Sequence, residues 1–244
     1  MRLNLSKTWG PVLALLVVTL AVFELTHLDL RVQDWFFDFD RGLWMVPRRE
    51  MWGRVFFYTG PKVLIILFGV VVLTLLVGPP RWRERWRLNR RQLGVVILTL
   101  AIVPVFIGQL KHYTGVYCPW DIRRYGGPAP YVKVFEKHPA DDRPDYAGRG
   151  FPAGHASGGF ALFALISLAR TRRQQWNALT LALVMGGMMG LYQMLKGAHY
   201  LSHTLVTMEV TWLIYLVLAA WIDPWWRHPA PLPTQPKRRC PTPS

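Results

Sequence analysis

The sequence predicts an all-α, polytopic membrane protein with six transmembrane helices. Three observations carry this. Apolar residues make up 52% of the 244-residue chain. They lie in long runs, most of them near the roughly 20 residues that a helix needs to cross a bilayer. The charged residues sit in blocks between these runs, which argues against a soluble core.

The first run, Pro11–Leu28, has the apolarity of a signal peptide. It lacks a small-x-small cleavage site and closes on Glu24 and His27, so it reads as a retained span. Residues 29–56 contain the string Trp35-Phe36-Phe37-Asp38-Phe39 and Trp44, the composition of an interfacial amphipathic segment or an aromatic belt. Further spans follow at Pro61–Val77, Leu93–Leu110, Gly154–Leu168, Ala178–Leu195 and Thr204–Ile222, the fourth run being short. Residues 178–222 cannot be one helix, which would be about 67 Å long at 1.5 Å per residue, so the chain reverses near Gly197–Ser202. Gly186 and Gly190 stand in a GxxxG spacing that lets helices approach closely. Residues 1–222 therefore read as a single six-span domain, and 223–244 as a disordered, proline-rich, basic tail.

The net charge is +15. Arginines concentrate in the second connection (Arg81 to Arg91), the fourth (Arg170, Arg172, Arg173) and the tail (Arg227, Arg238, Arg239). The positive-inside rule places these in the cytoplasm, with both termini, and puts residues 111–150 and 196–203 outside. No basic domain of the kind that binds nucleic acid is present. Cys118 and Cys240 fall in different settings, so a disulfide between them is not expected. The outer connection 111–150 is itself basic (Lys111, Arg123, Arg124, Lys133, Lys137, Arg143, Arg149), and a bound anion would explain the excess.

The most informative stretch is Gly150–Gly159, which puts His155 at a Gly-rich turn where an apolar helix opens. Free N–H groups and the helix dipole favour an anion there, and an imidazole exchanges a proton near neutral pH. The reversal after the fifth run delivers Lys196, His199 and His203 to the same face. Phosphoryl transfer needs positive charge on the equatorial oxygens, an in-line nucleophile and a proton donor. Two histidines and nearby cations supply these without a metal or other cofactor.

These residues resemble the type 2 phosphatidic acid phosphatase superfamily, whose soluble relatives are vanadium haloperoxidases and bacterial acid phosphatases. The family pattern is K-x6-R-P, then P-S-G-H, then S-R-x5-H-x3-D. Here Lys111 is followed by x6-Cys118-Pro119, then Pro152-Ala153-Gly154-His155, then Tyr192-Gln193-x5-His199-x3-His203. The resemblance covers about residues 93–222 and implies a helical core like that of the acid phosphatases and haloperoxidases. It implies that His199 is the nucleophile that becomes phosphohistidine, that His155 protonates the leaving oxygen, and that Lys111 and the Gly154–His155 amides hold the phosphate. Cys118, Ala153, Gln193 and His203 depart from the pattern. Arg124, Arg149 and Lys196 are expected to restore the lost positive charge, and His203 to accept a hydrogen bond from His199 in place of the aspartate. Glu209 is a second candidate for the orienting carboxylate, or a partner for an arginine or a backbone group.

The expected activity is hydrolysis of an anionic lipid monophosphate or diphosphate at the periplasmic face of a bacterial inner membrane. Three other readings share the residues. They are phosphate transfer to another lipid, a non-catalytic lipid-phosphate binder or carrier, and a metal site on His199-x3-His203 with His155.

Overall fold

The computed structural model describes residues 5–137, 139–142 and 144–222. The expected tail and Arg143 lie outside them. Helix α1 (Trp9–Leu25) presents Leu13, Val17 and Val18 outward. The axis then bends by 77° into α2 (Leu28–Asp34). A two-stranded antiparallel ribbon, β1 (Phe37–Asp38) and β2 (Leu43–Trp44), follows. Its turn is closed by the Asp38 carboxylate, which accepts from the amides of Asp40 and Arg41. The aromatic string thus packs inward in part: Phe37 and Trp44 lie on Tyr125 with ring centres 5.1 and 5.0 Å apart.

Helix α3 (Met51–Arg54) opens on Glu50, whose side chain accepts from Gly53 N. It continues through a wide π-helical turn, Val55–Thr59, into α4 (Gly60–Val77). Arg83 of α5 (Pro80–Arg85) closes the far end of α4 by donating to the carbonyls of Leu75, Leu76 and Gly78. Helix α6 (Arg90–Thr114) starts in a capping box between Asn89 and Gln92 and ends at Gly115 in the left-handed region. A second capping box, Thr171 with Gln174, starts α8 (Arg172–Leu195), and α9 (Leu201–Ile222) completes the bundle.

The fourth apolar run is not a long helix. It forms α7 (Gly154–Phe160), then a 3-10 stretch Ala161–Leu168, largely buried among α6, α8 and α9. Phe160, Phe163, Trp212 and Tyr215 make the central core there. Four helical segments are long and apolar enough to cross a membrane: Met51–Val77, Arg90–Asp121, Arg172–Leu195 and Leu201–Ile222. The bent α1–α2 pair makes a fifth if taken as one span, while Gly154–Leu168 stays shorter. The architecture is all-α and membrane-spanning, and six full spans are more than the described helices provide by length. Outward residues such as Leu64, Val70, Val105 and Val184 are roughly half exposed, a surface suited to lipid.

The GxxxG glycines sit at two helix contacts. A Cβ on Gly186 would strike the Phe160 ring of α7, and one on Gly190 would strike Thr204 of α9. The two arginine-rich connections meet at one end, where Arg170 donates to the carbonyls of Trp86 and Arg87. Lys111 lies at the other end of α6.

Candidate active site

The turn between α8 and α9 builds the centre of the site. Gly197 has φ +72 and a Cβ there would strike the Trp44 ring, so glycine satisfies both the backbone and the contact. The amides of Gly197 and Ala198 return to the carbonyls of Met194 and Gln193 at 2.9 and 2.8 Å. The Gly197 carbonyl accepts from Trp120 N at 2.9 Å. His199 follows and is 2% exposed; His203, in the first turn of α9, is 1% exposed.

A second strand of backbone closes over this turn. Gly150 N donates to Val116 O at 2.7 Å, Ala153 N donates to His203 O at 3.1 Å, and the Thr114 hydroxyl donates to Phe151 O at 2.6 Å. These bonds hold the start of α7 against α9. His155 Nδ1 lies 3.1 Å from His199 Nε2, a hydrogen bond whose donor depends on the tautomer. Lys111 packs on Gly154, where a Cβ would sit 3.3 Å from Nζ, and the ammonium donates to Arg149 O at 3.2 Å. Lys111, His155 and His199 therefore share one small volume.

Burial is the chief cause that pushes the His199 pKa well below 6.5, with Lys111 and the neighbouring rings acting in the same direction. The ring stays neutral in the fold, as a nucleophile must. In the unfolded chain His199 gains a proton near pH 6.5 and in the fold only at lower pH, so its contribution to stability is full above that pH and declines below it. The thermal midpoint in detergent should fall between pH 7 and 5, less so in His199→Gln. The acid limb of kcat/KM should lie below pH 6.5.

His203 meets His199 edge to face with ring centres 5.8 Å apart. The Nδ1 atoms of both rings are buried without a hydrogen-bond partner among the described residues. The Gly150 main chain approaches both rings without a well-formed hydrogen bond. The expected bond from His199 to His203 is thus absent from this arrangement. Glu209 does not orient a histidine either: its Oε1 accepts from Thr19 of α1 at 2.7 Å. Arg124 is also engaged elsewhere, as Nε and a terminal nitrogen bond Asp34 at 2.8 and 2.7 Å. The Arg149 side chain is exposed, and the residue meets Lys111 through its carbonyl. Lys196 lies over the Tyr192 ring at 5.0 Å, its pKa lowered chiefly by burial and then by Arg54. Cys118 is a free thiol. Among the described residues, no group of three or more His, Cys, Asp and Glu is arranged to hold a metal ion.

Sequence reasoning missed two supports. Tyr58 stacks its edge on His155, with ring centres 4.7 Å apart. Asp29, only 6% exposed, accepts from both the amide and the hydroxyl of Ser202 and so ties α2 to the start of α9, between His199 and His203. Removing such a cap costs about 1–2 kcal/mol. Asp29→Ala should lower the thermal midpoint and kcat together, and Asp29→Asn should recover part of both.

The family model of the PAP2 superfamily matches residues 92–227. A lipid A 4'-phosphatase of Francisella tularensis subsp. novicida (strain U112) is 26% identical over 160 residues, which is 63% of this chain and 70% of that protein. No solved structure gives a significant match. The family match runs from the start of α6 past the end of α9 and so takes in Lys111, His155, His199 and the helices that join them: the chain belongs to the PAP2 superfamily.

Proposed function

We propose that the chain is an integral membrane lipid phosphatase whose His199 is phosphorylated during turnover at the periplasmic face. The observation that carries this is the 3.1 Å contact of His155 Nδ1 with His199 Nε2 beside Lys111. Two groups that must act on opposite sides of one phosphorus are already neighbours. The rings must part to admit the phosphoryl group between them, because an in-line displacement needs attacking and leaving atoms on opposite faces.

In the first step His199 Nε2 attacks phosphorus and the bond to the lipid oxygen breaks. His155, its pKa pushed down to about 4 chiefly by burial, takes up a proton from solvent as the phosphate dianion enters and gives that oxygen the proton. Lys111 and the Gly154 amide neutralise the equatorial oxygens, with Lys196 adding charge from the neighbouring turn. In the second step water attacks the phosphohistidine, His155 takes the water's proton, and inorganic phosphate leaves. His203 contributes by backing the His199 ring and holding Ala153 N through its carbonyl.

The substrate is an anionic lipid phosphate, for which the similarity to a lipid A 4'-phosphatase offers a first candidate. A site at the edge of the bundle lets the acyl chains stay in the bilayer while the headgroup reaches the histidines. The periplasmic assignment is supported by the arginine-rich connections meeting at the end of α6 opposite Lys111. The test is phosphate release from a lipid panel, lipid A included, by purified protein in mixed micelles, with acid-labile phosphate sought on the trapped protein. A protein that binds these lipids and releases no phosphate from any of them would replace this reading with that of a binder.

A further inference from the structure

This inference rests on the phosphatase reading and concerns the acid of the histidine pair. Residues 29–58 wrap the catalytic turn. Gln33 Nε2 donates to Met194 O at 2.7 Å, Val46 N donates to Leu195 O at 3.2 Å, and Phe57 stacks on Tyr192 with ring centres 5.7 Å apart. These contacts end on backbone or on Tyr192. Tyr58 meets a reacting ring instead. It stands edge to face against His155, with ring centres 4.7 Å apart and the planes at 61°.

His155 thus touches two rings, Tyr58 and, at 5.3 Å between centres, His199. His199 has little room to retreat. It is 2% exposed and follows a turn whose amides return to the carbonyls of Met194 and Gln193. His155 is only half-buried, so it is the ring that moves when the phosphoryl group enters, and Tyr58 bounds the space into which it turns. Tyr58 is itself held from behind. It lies in the π-helical turn Val55–Thr59, where Gly60 N donates to Val55 O and a Cβ on Gly60 would sit 2.7 Å from that oxygen. Such turns are rare and concentrate at functional sites. On the turn before it, a Cβ on Gly53 would strike the Tyr192 ring, which seats α3 against α8.

We propose that Tyr58 is the positioning residue for His155: its ring fixes the angle from which the imidazole, once moved off His199, reaches the leaving oxygen. A general acid works within about 2.6–3.2 Å of the atom it protonates. A misplacement of about 1 Å costs up to about a hundredfold in rate. The ring supplies the aim by contact, so the Tyr58 hydroxyl is not required. Because an acid serves a strongly basic leaving oxygen, lost aim is felt on an alkyl lipid phosphate and hardly on an aryl phosphate.

The experiment compares Tyr58→Phe, Tyr58→Leu and Tyr58→Ala in the full chain, below the thermal midpoint of each. It measures kcat on both kinds of ester. Without substrate, it also measures the rate at which diethyl pyrocarbonate modifies His155, read by peptide mass spectrometry. Tyr58→Phe should match the parent in every reading. Tyr58→Leu and Tyr58→Ala should lose about tenfold or more on the lipid and less than about twofold on the aryl ester. In both, His155 should be modified severalfold faster, because nothing then bounds its ring. Tyr58→Leu keeps bulk at the site and carries the comparison where the alanine variant fails to fold. Equal losses on the two esters would overturn the proposal, because Tyr58 would then serve the fold or His199. So would an unchanged rate of modification in Tyr58→Leu, or a Tyr58→Phe that falls with the other two. The modification is read without turnover, so the hold of Tyr58 on His155 stands or falls separately from the phosphatase reading.

Discussion

His199→Ala should lower lipid phosphate release by at least about a thousandfold, because it removes the atom that bonds to phosphorus and leaves only binding and charge stabilisation. The fall should be similar for an alkyl lipid phosphate and for an aryl phosphate with a good leaving group. His155→Ala should behave differently. Its proton matters when the leaving oxygen is strongly basic, so the loss should be about a hundredfold or more on the lipid and small on the aryl ester. The contrast is measured as kcat for both substrates in each variant. Lipid phosphate release from His199→Ala within a few-fold of wild type would remove the nucleophile assignment. Equal sensitivity of His155→Ala to both leaving groups would remove the acid. The two rings are in contact, so their effects should not add in the double variant.

A large loss of stability is expected at Gly159. A Cβ there would lie 2.6 Å from both Cα and N of Gly186, so the backbones of α7 and α8 touch with nothing between them. Neither backbone can swing aside as a side chain would. Gly159→Ala should therefore cost about 3 kcal/mol or more and push α7 toward α9, spoiling the site as well. At Gly187, beside Gly186 on α8, an added methyl would meet nothing within 4 Å. Gly187→Ala should be neutral, or gain up to about 1 kcal/mol from helix propensity. Thermal midpoints in one detergent, with phosphate release at a permissive temperature, compare the pair. Equal midpoints would show that the helix contact is looser than the structure has it.

Much of the fold was legible because hydropathy reports burial in lipid directly. Each apolar run became helical, and the turn near Gly197 follows from length alone. The fourth run was legible as short but not as buried, because composition does not say whether an apolar segment faces lipid or protein. Gly154–Leu168 packs among other helices, stops after fifteen residues and tightens into a 3-10 stretch. The grouping of Lys111, His155 and His199 was legible because helix ends sort residues to one face. What spacing could not supply was pairing across the chain. Arg124 meets Asp34 from 90 positions away, and Glu209 meets Thr19 from 190. Trp44 and Tyr58 stand outside the motif spacing that marks the histidines. They joined the site only once the ribbon folded back on Tyr192–Gly197.

The ribbon's seat on Gly197 and the tie of Asp29 to Ser202 have a consequence for biogenesis. The ribosome delivers the first third of the protein long before the segment it must clasp. Asp29 and Trp44 emerge early and must wait while the remaining helices are inserted. The catalytic centre therefore stays dormant through insertion and is assembled last, when α9 packs against α1 and the turn before it meets Trp44.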